Sequence, residues 1–273
     1  INTGKLTIMV VYDTYNKENY VFFTHPDYEA GYHTNFPMLN HPDGLQELQL
    51  NKPALAFSNE REMLSAFVKL MRQHDPDIIT GWNVVNADIK KIVERMSDNG
   101  LDPKTLSPMN RIQYSFTDWA QPIVGVNLID LMQAFTHLWT IKNGQLPDKS
   151  LATVSNEVLG ETKVELQDGH DTYYTDFGTY LAYAIKDVDL LPKLNSKNNA
   201  IEHYTAIQHI VGCDIRTTPH ITKILSVLAL RDKDFNLQIP TKPRFTYEDY
   251  QGAEISAIQE AGIFDNVAIL DIK

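Results

Sequence analysis

The chain has 273 residues, 43% of them hydrophobic and 22% charged, which excludes global disorder, and no apolar run approaches the roughly 18 residues of a membrane span. Its formal net charge of −11 excludes the basic face typical of nucleic-acid-binding proteins, unless bound Mg²⁺ joins an acidic site to phosphates or the basic surfaces lie in other parts of a larger protein. The single cysteine, Cys213, excludes a disulfide framework and a cysteine-rich zinc site, and it indicates a reducing compartment, the cytoplasm of a bacterium or, for a viral protein, of a host cell.

The first 52 residues predict a β-hairpin followed by an irregular segment. Residues 5–12 and 20–23 are rich in β-branched and aromatic side chains, and the polar stretch between them has the composition of a turn. Residues 25–52 mix proline, glycine, histidine and aspartate, so we expect an irregular insertion there.

Two amphipathic helices and a short strand are predicted between residues 59 and 100. The first helix follows the capping pattern Asn59-x-x-Glu62, and the second ends at Asn99-Gly100. Between them, residues 78–80 predict a buried strand that leads into a turn at Gly81. The apolar residues that recur at helical spacing are Leu64, Phe67, Val68 and Met71 in the first helix and Ile89, Ile92, Val93 and Met96 in the second.

The remaining chain predicts more helix than strand. Residues 111–130 suggest two strands, the second of which ends at Asp130. Four helices follow, and the third is expected to bend at Pro192. Their predicted ranges are 131–139, 150–159, 176–209 and 218–231. The tail, residues 238–273, is proline-rich and then strand-like. This order of elements predicts a mixed α/β fold with one central sheet.

A first candidate for chemistry follows the strand at residues 78–80. Asn83 lies at the end of that strand, where its side-chain amide can hydrogen-bond to the backbone or to a substrate. Asp88 falls in the first turn of the next helix, where the helix dipole favours an ionised carboxylate. The alternative is structural, with Asn83 or Asn86 as the helix cap and Asp88 as a surface acid paired with the dipole.

A second candidate lies in the long helix predicted over residues 176–209. Tyr183 and Asp187 are four residues apart, so the phenol and the carboxylate share one helix face. That face borders the apolar stripe formed by Phe177, Leu181, Ala184 and Val188. The alternative here is a tyrosine–aspartate pair at the surface. Taken singly, neither segment identifies an activity.

Together, the two segments resemble the second and third exonuclease motifs of family-B DNA polymerases. The pattern N-x-x-x-x-D (83–88) follows "PDIITG", and the pattern Y-x-x-x-D (183–187) comes later in the chain. The stretches "SNEREMLSAFVKLMRQHDPDIITGWN" (58–83) and "SLATVSNEVLGETK" (150–163) are similar to the family's approaches to these two motifs. Tyr250-Gln251-Gly252-Ala253 matches the family's Y-x-G-G/A element, and "NVAILDIK" (266–273) resembles the start of its first polymerase-palm motif.

This resemblance implies a 3′→5′ proofreading exonuclease on a ribonuclease-H-like fold, a mixed sheet flanked by helices. It implies two Mg²⁺ (or Mn²⁺) ions held by carboxylates, with Asp88 and Asp187 among the metal ligands. Tyr183 would orient the attacking water, and Asn83 would contact the 3′-terminal nucleotide. Lys163, at the family's lysine position, would offset charge on the phosphate, although a solvated lysine is an equal alternative.

The resemblance also implies sites and partners beyond the exonuclease chemistry. Tyr250 and Gly252 would contribute to substrate binding, and Asp271 would bind metal in the polymerase module. The implied partners are a DNA primer-template, a single-stranded 3′ end and, in the parent protein, deoxynucleotides, with no membrane involved.

The chain departs from the family pattern in ways that bear on activity. Ala87 stands where the family usually has an aromatic residue, and "DIKK" (88–91) replaces the commoner Asp-Ile-Pro-Tyr. The first motif, D-x-E on a buried strand, supplies two of the four carboxylates in the family and is missing. Asp27-Tyr28-Glu29 fits the pattern but lies in a polar loop, and Asp13-Thr14-Tyr15 ends a strand but lacks the glutamate. We therefore expect the two N-terminal strands to be the second and third of the fold, with the first upstream of Ile1.

These observations predict an exonuclease domain over residues 1–195 and a helical and extended connector toward the palm over residues 196–273. The absence of an initial methionine and the strand-like end suggest a piece of a larger protein, which alone would hydrolyse DNA feebly or not at all. Two alternatives remain open: a degenerate, non-catalytic module that holds DNA, and an unrelated acidic metal-dependent hydrolase.

Overall fold

The computed structural model describes residues 4–39, 46–161, 166 and 169–231. The described residues belong to one compact unit. The strand-like tail predicted over 238–273 lies outside the described residues. The predicted division at residue 195 falls within a helix and stays a prediction.

A four-stranded mixed sheet forms the N-terminal part of the fold. The predicted hairpin is confirmed by β1 (Ile8–Asp13) and β2 (Glu18–Phe23), which pair antiparallel with Ile8 opposite Phe23. The irregular insertion expected over residues 25–52 is wrong, because β3 (Gly31–Met38) and β4 (Gln46–Ala56) lie there. The sheet order is β1-β2-β4-β3, with β4 parallel to β2 and antiparallel to β3.

One of the prolines that suggested an insertion, Pro37, is accommodated within these two strands. Pro37 lies in β3, which forms the edge of the sheet, where proline is tolerated because one side of the strand needs no ladder bonds. Phe36, Ala54 and Ala56 are buried while polar neighbours are exposed, so the strands do carry an inward-facing apolar set. A register shift between His33 and Asn35 interrupts the regular alternation and hides the strand signal.

The two predicted helices and the short strand that follow are confirmed. They are α1 (Glu60–His74), β5 (Ile78–Gly81) and α2 (Lys90–Asp98), and a π-helical turn over Val85–Ile89 leads into α2. The cap of α1 is also as predicted, because the Asn59 side chain accepts the Glu62 N–H at 2.9 Å. Met63, Leu64, Ile92 and Met96 bury the inner faces of both helices in one core cluster.

A second, two-stranded sheet pairs β5 in parallel with β6 (Asn127–Asp130). Only one of the two strands predicted over 111–130 is therefore present, preceded by a single antiparallel bridge between Ile112 and Ile123. The described strands form two sheets where the sequence predicted one. The predicted class, a mixed α/β fold with a mixed sheet flanked by helices, is confirmed.

The remaining long elements of the described chain are helices. They are α3 (Leu131–Asn143), α4 (Leu151–Leu159), α5 (Thr172–Thr175), α6 (Phe177–Asn198), α7 (Ala200–Val211) and α8 (Ile221–Arg231), with short 3₁₀ turns at Pro103–Leu106, Gly169–Asp171 and Ile215–Thr217. Among the described residues, no helix combines the length and the apolar character needed to cross a membrane.

The helix predicted over residues 176–209 is divided into two, because α6 ends before Asn199, which has a left-handed φ of 50°. Pro192 lies inside α6, and the bend predicted there stays a prediction. The Asn199 N–H still closes the last turn of α6 by donating to the Asn195 carbonyl at 2.7 Å. Asparagine adopts this conformation more readily than most residues, so it can end one helix and begin the next.

A buried ion pair holds the segment before β1 against α1 and α2. The Glu60 carboxylate accepts Nε and Nη2 of Arg95 at 2.7 and 2.5 Å, the Leu6 N–H at 2.8 Å and the Asn99 side-chain amide at 3.1 Å. Because every one of these groups donates to the same carboxylate, three separate chain segments are fixed to one point.

Candidate active site

A groove of about 2220 Å³ runs between β1 of the first sheet and β5 of the second. Residues from α1, α2 and α6 also line it, together with the starts of α3, α4 and α7. The four described residues that the sequence predicted to act together, Asn83, Asp88, Tyr183 and Asp187, all line this groove. Segments far apart in the chain are thus brought to one place.

The backbone of β1 forms one wall of the groove. β1 lies at one edge of its sheet, and among the described strands its only partner is β2. The Thr24 N–H donates to the Thr7 carbonyl at 2.9 Å, and antiparallel bonding alternates along the pair. The backbone groups of Ile8, Val10 and Tyr12 therefore point away from β2, toward the groove. This wall presents the donors and acceptors of a strand edge.

Asp88 is presented by the turn between β5 and α2. Asn83 begins this turn with a left-handed φ of 63°, and its carbonyl accepts the Ala87 N–H at 2.9 Å. The Val84 carbonyl accepts the Ile89 N–H at 2.8 Å, which forms the π-helical turn that carries Asp88. Such turns often occur at functional sites because they displace a side chain from regular helical register.

The environment of the Asp88 carboxyl is electrostatically unfavourable for an ionised acid. The side chain is exposed to the solvent in the groove, but the protein around it removes part of its hydration. This desolvation, with the negative charge of Asp130 as the second cause, raises the pKa of Asp88 to about 6. A nearby cation would reverse this effect.

Tyr183 and Asp187 are half-buried and lie one turn apart on α6. The Asp176 carboxylate caps α6 by accepting the Thr179 N–H at 3.2 Å. Gly178 lets the first turn of the helix pack on β3, since a Cβ there would collide with the Pro37 carbonyl oxygen. These contacts determine where along the groove Tyr183 and Asp187 lie.

The apolar stripe of α6 is only half covered. Phe177 and Leu181 are buried against the four-stranded sheet, whereas Ala184 and Val188 are half-exposed and line the groove. The stripe that the sequence predicted to face the core therefore continues into the open groove. The apolar side chains that line the groove here are of the kind that surrounds a buried strand.

The donor set fits a hard divalent cation but is incomplete. Asp88 and Asp187 offer carboxylate oxygens, the ligands that Mg²⁺ prefers. Within the described ranges, no three or more His, Cys, Asp or Glu side chains are grouped so as to hold a metal ion. Two carboxylates alone do not form the four-carboxylate arrangement that the motif pattern implies.

Neither of the D-x-E-like segments completes the set. Asp13 lines the groove, but its carboxylate accepts the Tyr15 N–H at 2.8 Å and lies 3.0 Å from Nδ1 of His74. Asp27 is 78% exposed and is absent from the groove lining, as is Glu29. Both segments therefore have local roles in the turns that they form.

Some predicted site residues have no described geometry, and one neighbour of the site was missed. Lys163, Tyr250, Gly252 and Asp271 lie outside the described residues and stay predictions. Asp130, which the sequence predicted only as a strand end, is 3% exposed and lies next to Asp88 and Asn83. An acidic residue at the end of a buried strand was the signal that would have identified it.

Comparisons with known proteins match the chain to one family. The model described as "DNA polymerase family B, exonuclease domain" matches residues 6–147. The DNA polymerase delta catalytic subunit of Arabidopsis thaliana is 28% identical over 246 residues, covering 80% of this chain and 22% of that protein. The delta catalytic subunit of Schizosaccharomyces pombe is 25% identical over 227 residues, covering 73% of this chain and 20% of that protein.

A viral protein is also similar. The DNA polymerase catalytic subunit of Equine herpesvirus 1 is 26% identical over 157 residues, or 51% of this chain and 12% of that protein. The chain spans about a fifth of the length of the delta catalytic subunits it matches.

Proposed function

Since the chain belongs to the exonuclease-domain family of the family-B DNA polymerases, we propose that it carries out 3′→5′ proofreading for a DNA polymerase. The mixed sheet flanked by helices agrees with the ribonuclease-H-like fold of that domain. One observation carries the proposal: Asn83, Asp88, Tyr183 and Asp187 line the same groove although they come from separate parts of the chain. Membership of this family removes the alternative of an unrelated hydrolase.

The proposed substrate is a single-stranded DNA 3′ end delivered from a primer-template. The carboxylates of Asp88 and Asp187 would hold Mg²⁺ or Mn²⁺, which supplies an activated water and stabilises the leaving oxygen when bound. The Tyr183 phenol would orient the attacking water by a hydrogen bond. Asn83 would contact the terminal nucleotide through its side-chain amide, and Lys163 would offset phosphate charge.

We propose that a further strand, seated in the groove, brings the remaining carboxylates to this site. Three observations support it: the backbone groups of β1 that point into the groove, the uncovered half of the α6 stripe and the separation of β1 from β5. Without these acids, the site loses several kcal/mol of transition-state stabilisation, at about 1.4 kcal/mol for each tenfold in rate. The isolated chain should therefore hydrolyse DNA feebly or not at all.

Polymerisation, with deoxynucleotides as substrates, would belong to the whole protein and not to this part of it. The net charge of −11 favours DNA binding that depends on divalent cations and on basic surfaces elsewhere. The unpaired thiol of Cys213 is compatible with a reducing compartment such as the cytoplasm.

The test measures release of 3′ mononucleotides from single-stranded DNA with Mg²⁺ or Mn²⁺. It compares the chain alone with a version preceded by an apolar strand that ends in Asp-x-Glu. Activity should rise by orders of magnitude in the second version and disappear in Asp187→Ala. Asp189→Ala is the matched control, since this nearby acid bonds the Asn19 side chain at 3.3 Å instead of lining the groove.

Each other outcome points to a different conclusion. Strong activity of the chain alone, abolished by Asp187→Ala, would mean that the missing acids are already in the chain. No activity in either version would favour the other alternative, a degenerate module that holds DNA without cutting it.

A further inference from the structure

The carboxylate of Asp130 joins two chain segments at the bottom of the site. Asp130 is the last residue of β6 and is 3% exposed. Its Oδ1 accepts the Met132 N–H at 3.1 Å, which caps α3. The same oxygen accepts the Asn83 N–H at 3.1 Å from the neighbouring strand end. The second bond contributes nothing to capping α3, so it needs another explanation.

The bond to Asn83 acts on the turn that presents Asp88. Asn83 has a left-handed φ of 63°, so the chain changes direction sharply at the residue whose N–H Asp130 accepts. The parallel register places Gly81 opposite Asp130, so the carboxylate meets the chain just after it leaves β5. The Asn83 carbonyl then accepts the Ala87 N–H at the start of the turn. Asp130 thus fixes the first residue of the turn that carries Asp88.

Asp130 is too deeply buried to touch a DNA strand in the groove. Burial raises the pKa of Asp130, and backbone amides from the first turns after β5 and β6 oppose this rise. The carboxylate therefore lies among the N-terminal amides of two helical segments and holds them together.

We propose that Asp130 is a positioning residue of the exonuclease site, which sets Asn83 and Asp88 for metal and substrate through its hydrogen bond to the Asn83 N–H. This proposal rests on the function proposed above. Residues that orient metal ligands from behind affect metal affinity strongly even though they never contact the ion.

The decisive variant is Asp130→Ser, because serine remains a good helix cap for α3 but is too short to reach Asn83 as well. Asp130→Asn retains an oxygen at the Oδ1 position and tests for rescue. The readouts are the hydrogen-exchange rate of the Asn83 amide and the broadening of Asp88 and Asp187 NMR signals by Mn²⁺ alone. Asp102→Ser is the matched control, since Asp102 caps a 3₁₀ turn away from the groove.

In Asp130→Ser, we expect the Asn83 amide to lose its protection and the Mn²⁺ affinity to fall by about tenfold or more. Asp130→Asn should retain most of both, and Asp102→Ser should match the unmodified chain. Unchanged protection and affinity in Asp130→Ser would reduce Asp130 to a helix cap and overturn the proposal. An equal loss in Asp130→Asn would overturn it too, because the charge and not the hydrogen bond would then be responsible.

The measurement also separates this proposal from the proposed function. If Mn²⁺ broadens neither Asp88 nor Asp187 even in the version preceded by the strand that ends in Asp-x-Glu, the metal site itself is absent, and both proposals are overturned. If Mn²⁺ binds there equally in all variants, only the positioning role of Asp130 is overturned.

Discussion

Replacing Arg95 with methionine should destabilise the fold strongly, because it leaves the Glu60 carboxylate buried without its charged partner. The Glu60 side chain is 6% exposed and that of Arg95 16% exposed, so water cannot replace the lost contacts. Methionine retains much of the apolar stem of arginine, so the loss of packing is small. The measured effect should therefore come from the ion pair.

The magnitude follows from the bonds that Glu60 loses. Arg95 supplies two hydrogen bonds, each worth about 1.5–3 kcal/mol when a charged group is involved. The Leu6 N–H and the Asn99 amide remain and offset part of the desolvation of the carboxylate. We expect a loss of about 3–5 kcal/mol, the range found when one partner of a buried ion pair is removed.

The effect should depend on pH in a defined direction. Burial raises the pKa of Glu60, but the hydrogen bonds from Arg95, Leu6 and Asn99 outweigh it and hold the pKa below the ordinary 4.5. A depressed pKa stabilises the fold fully above pH 4.5, and this contribution disappears as the pH falls through the folded-state value. The difference between the original chain and Arg95→Met should therefore shrink at acid pH.

Urea unfolding followed by circular dichroism at pH 7 and at several acid pH values measures this difference. Asp98→Ala is the control, because Asp98 bonds the same guanidinium but is 61% exposed and should cost less than about 1 kcal/mol. A loss below about 1 kcal/mol in Arg95→Met at pH 7, or a loss independent of pH, would refute the reasoning.

Three further predictions concern packing and hydrogen bonding in the core. Gly178→Ala should cost about 1–3 kcal/mol in urea unfolding, because its Cβ would push α6 away from the Pro37 carbonyl, and an unchanged midpoint would contradict this contact. Leu181→Ala should cost about 2–5 kcal/mol by the same measurement, because the fully buried side chain leaves a cavity under α6. Tyr204→Phe should lower the free energy of unfolding by about 1 kcal/mol, since it removes the 2.6 Å hydrogen bond between the phenol and His137; a neutral result would show that His137 finds another partner.

The elements that the sequence predicted well depend on local information. Asn59 caps α1, the stripes of α1 and α2 are buried, and the hairpin of β1 and β2 closes through a short turn. Each of these features is set by residues a few positions apart, within reach of one turn of helix or one pair of strands. The candidates Asp88 and Asp187 were proposed from the resemblance of two short segments to family motifs, and their roles stay a prediction.

The features that the sequence missed depend on distant partners. β4 joins the sheet by parallel pairing with β2, and Pro37 and the register shift conceal the alternation of β3 in the sequence. The helix predicted over residues 176–209 is divided at Asn199, where α7 begins to pack against α3 and α6. Local propensity predicts neither outcome, since the deciding contacts come from elsewhere in the chain.

The sequence by itself indicated Asn83, Asp88, Tyr183 and Asp187 as candidate site residues, because the two short segments that contain them resemble two motifs of the family. Only the tertiary structure decided that these segments line one groove and that Asp130 lies behind them. Parallel pairing of β5 with β6 places the ends of these two strands side by side. The packing of α6 on β3 determines where along the groove Asp187 lies. Such long-range contacts follow from burial of the whole core, which no local pattern contains.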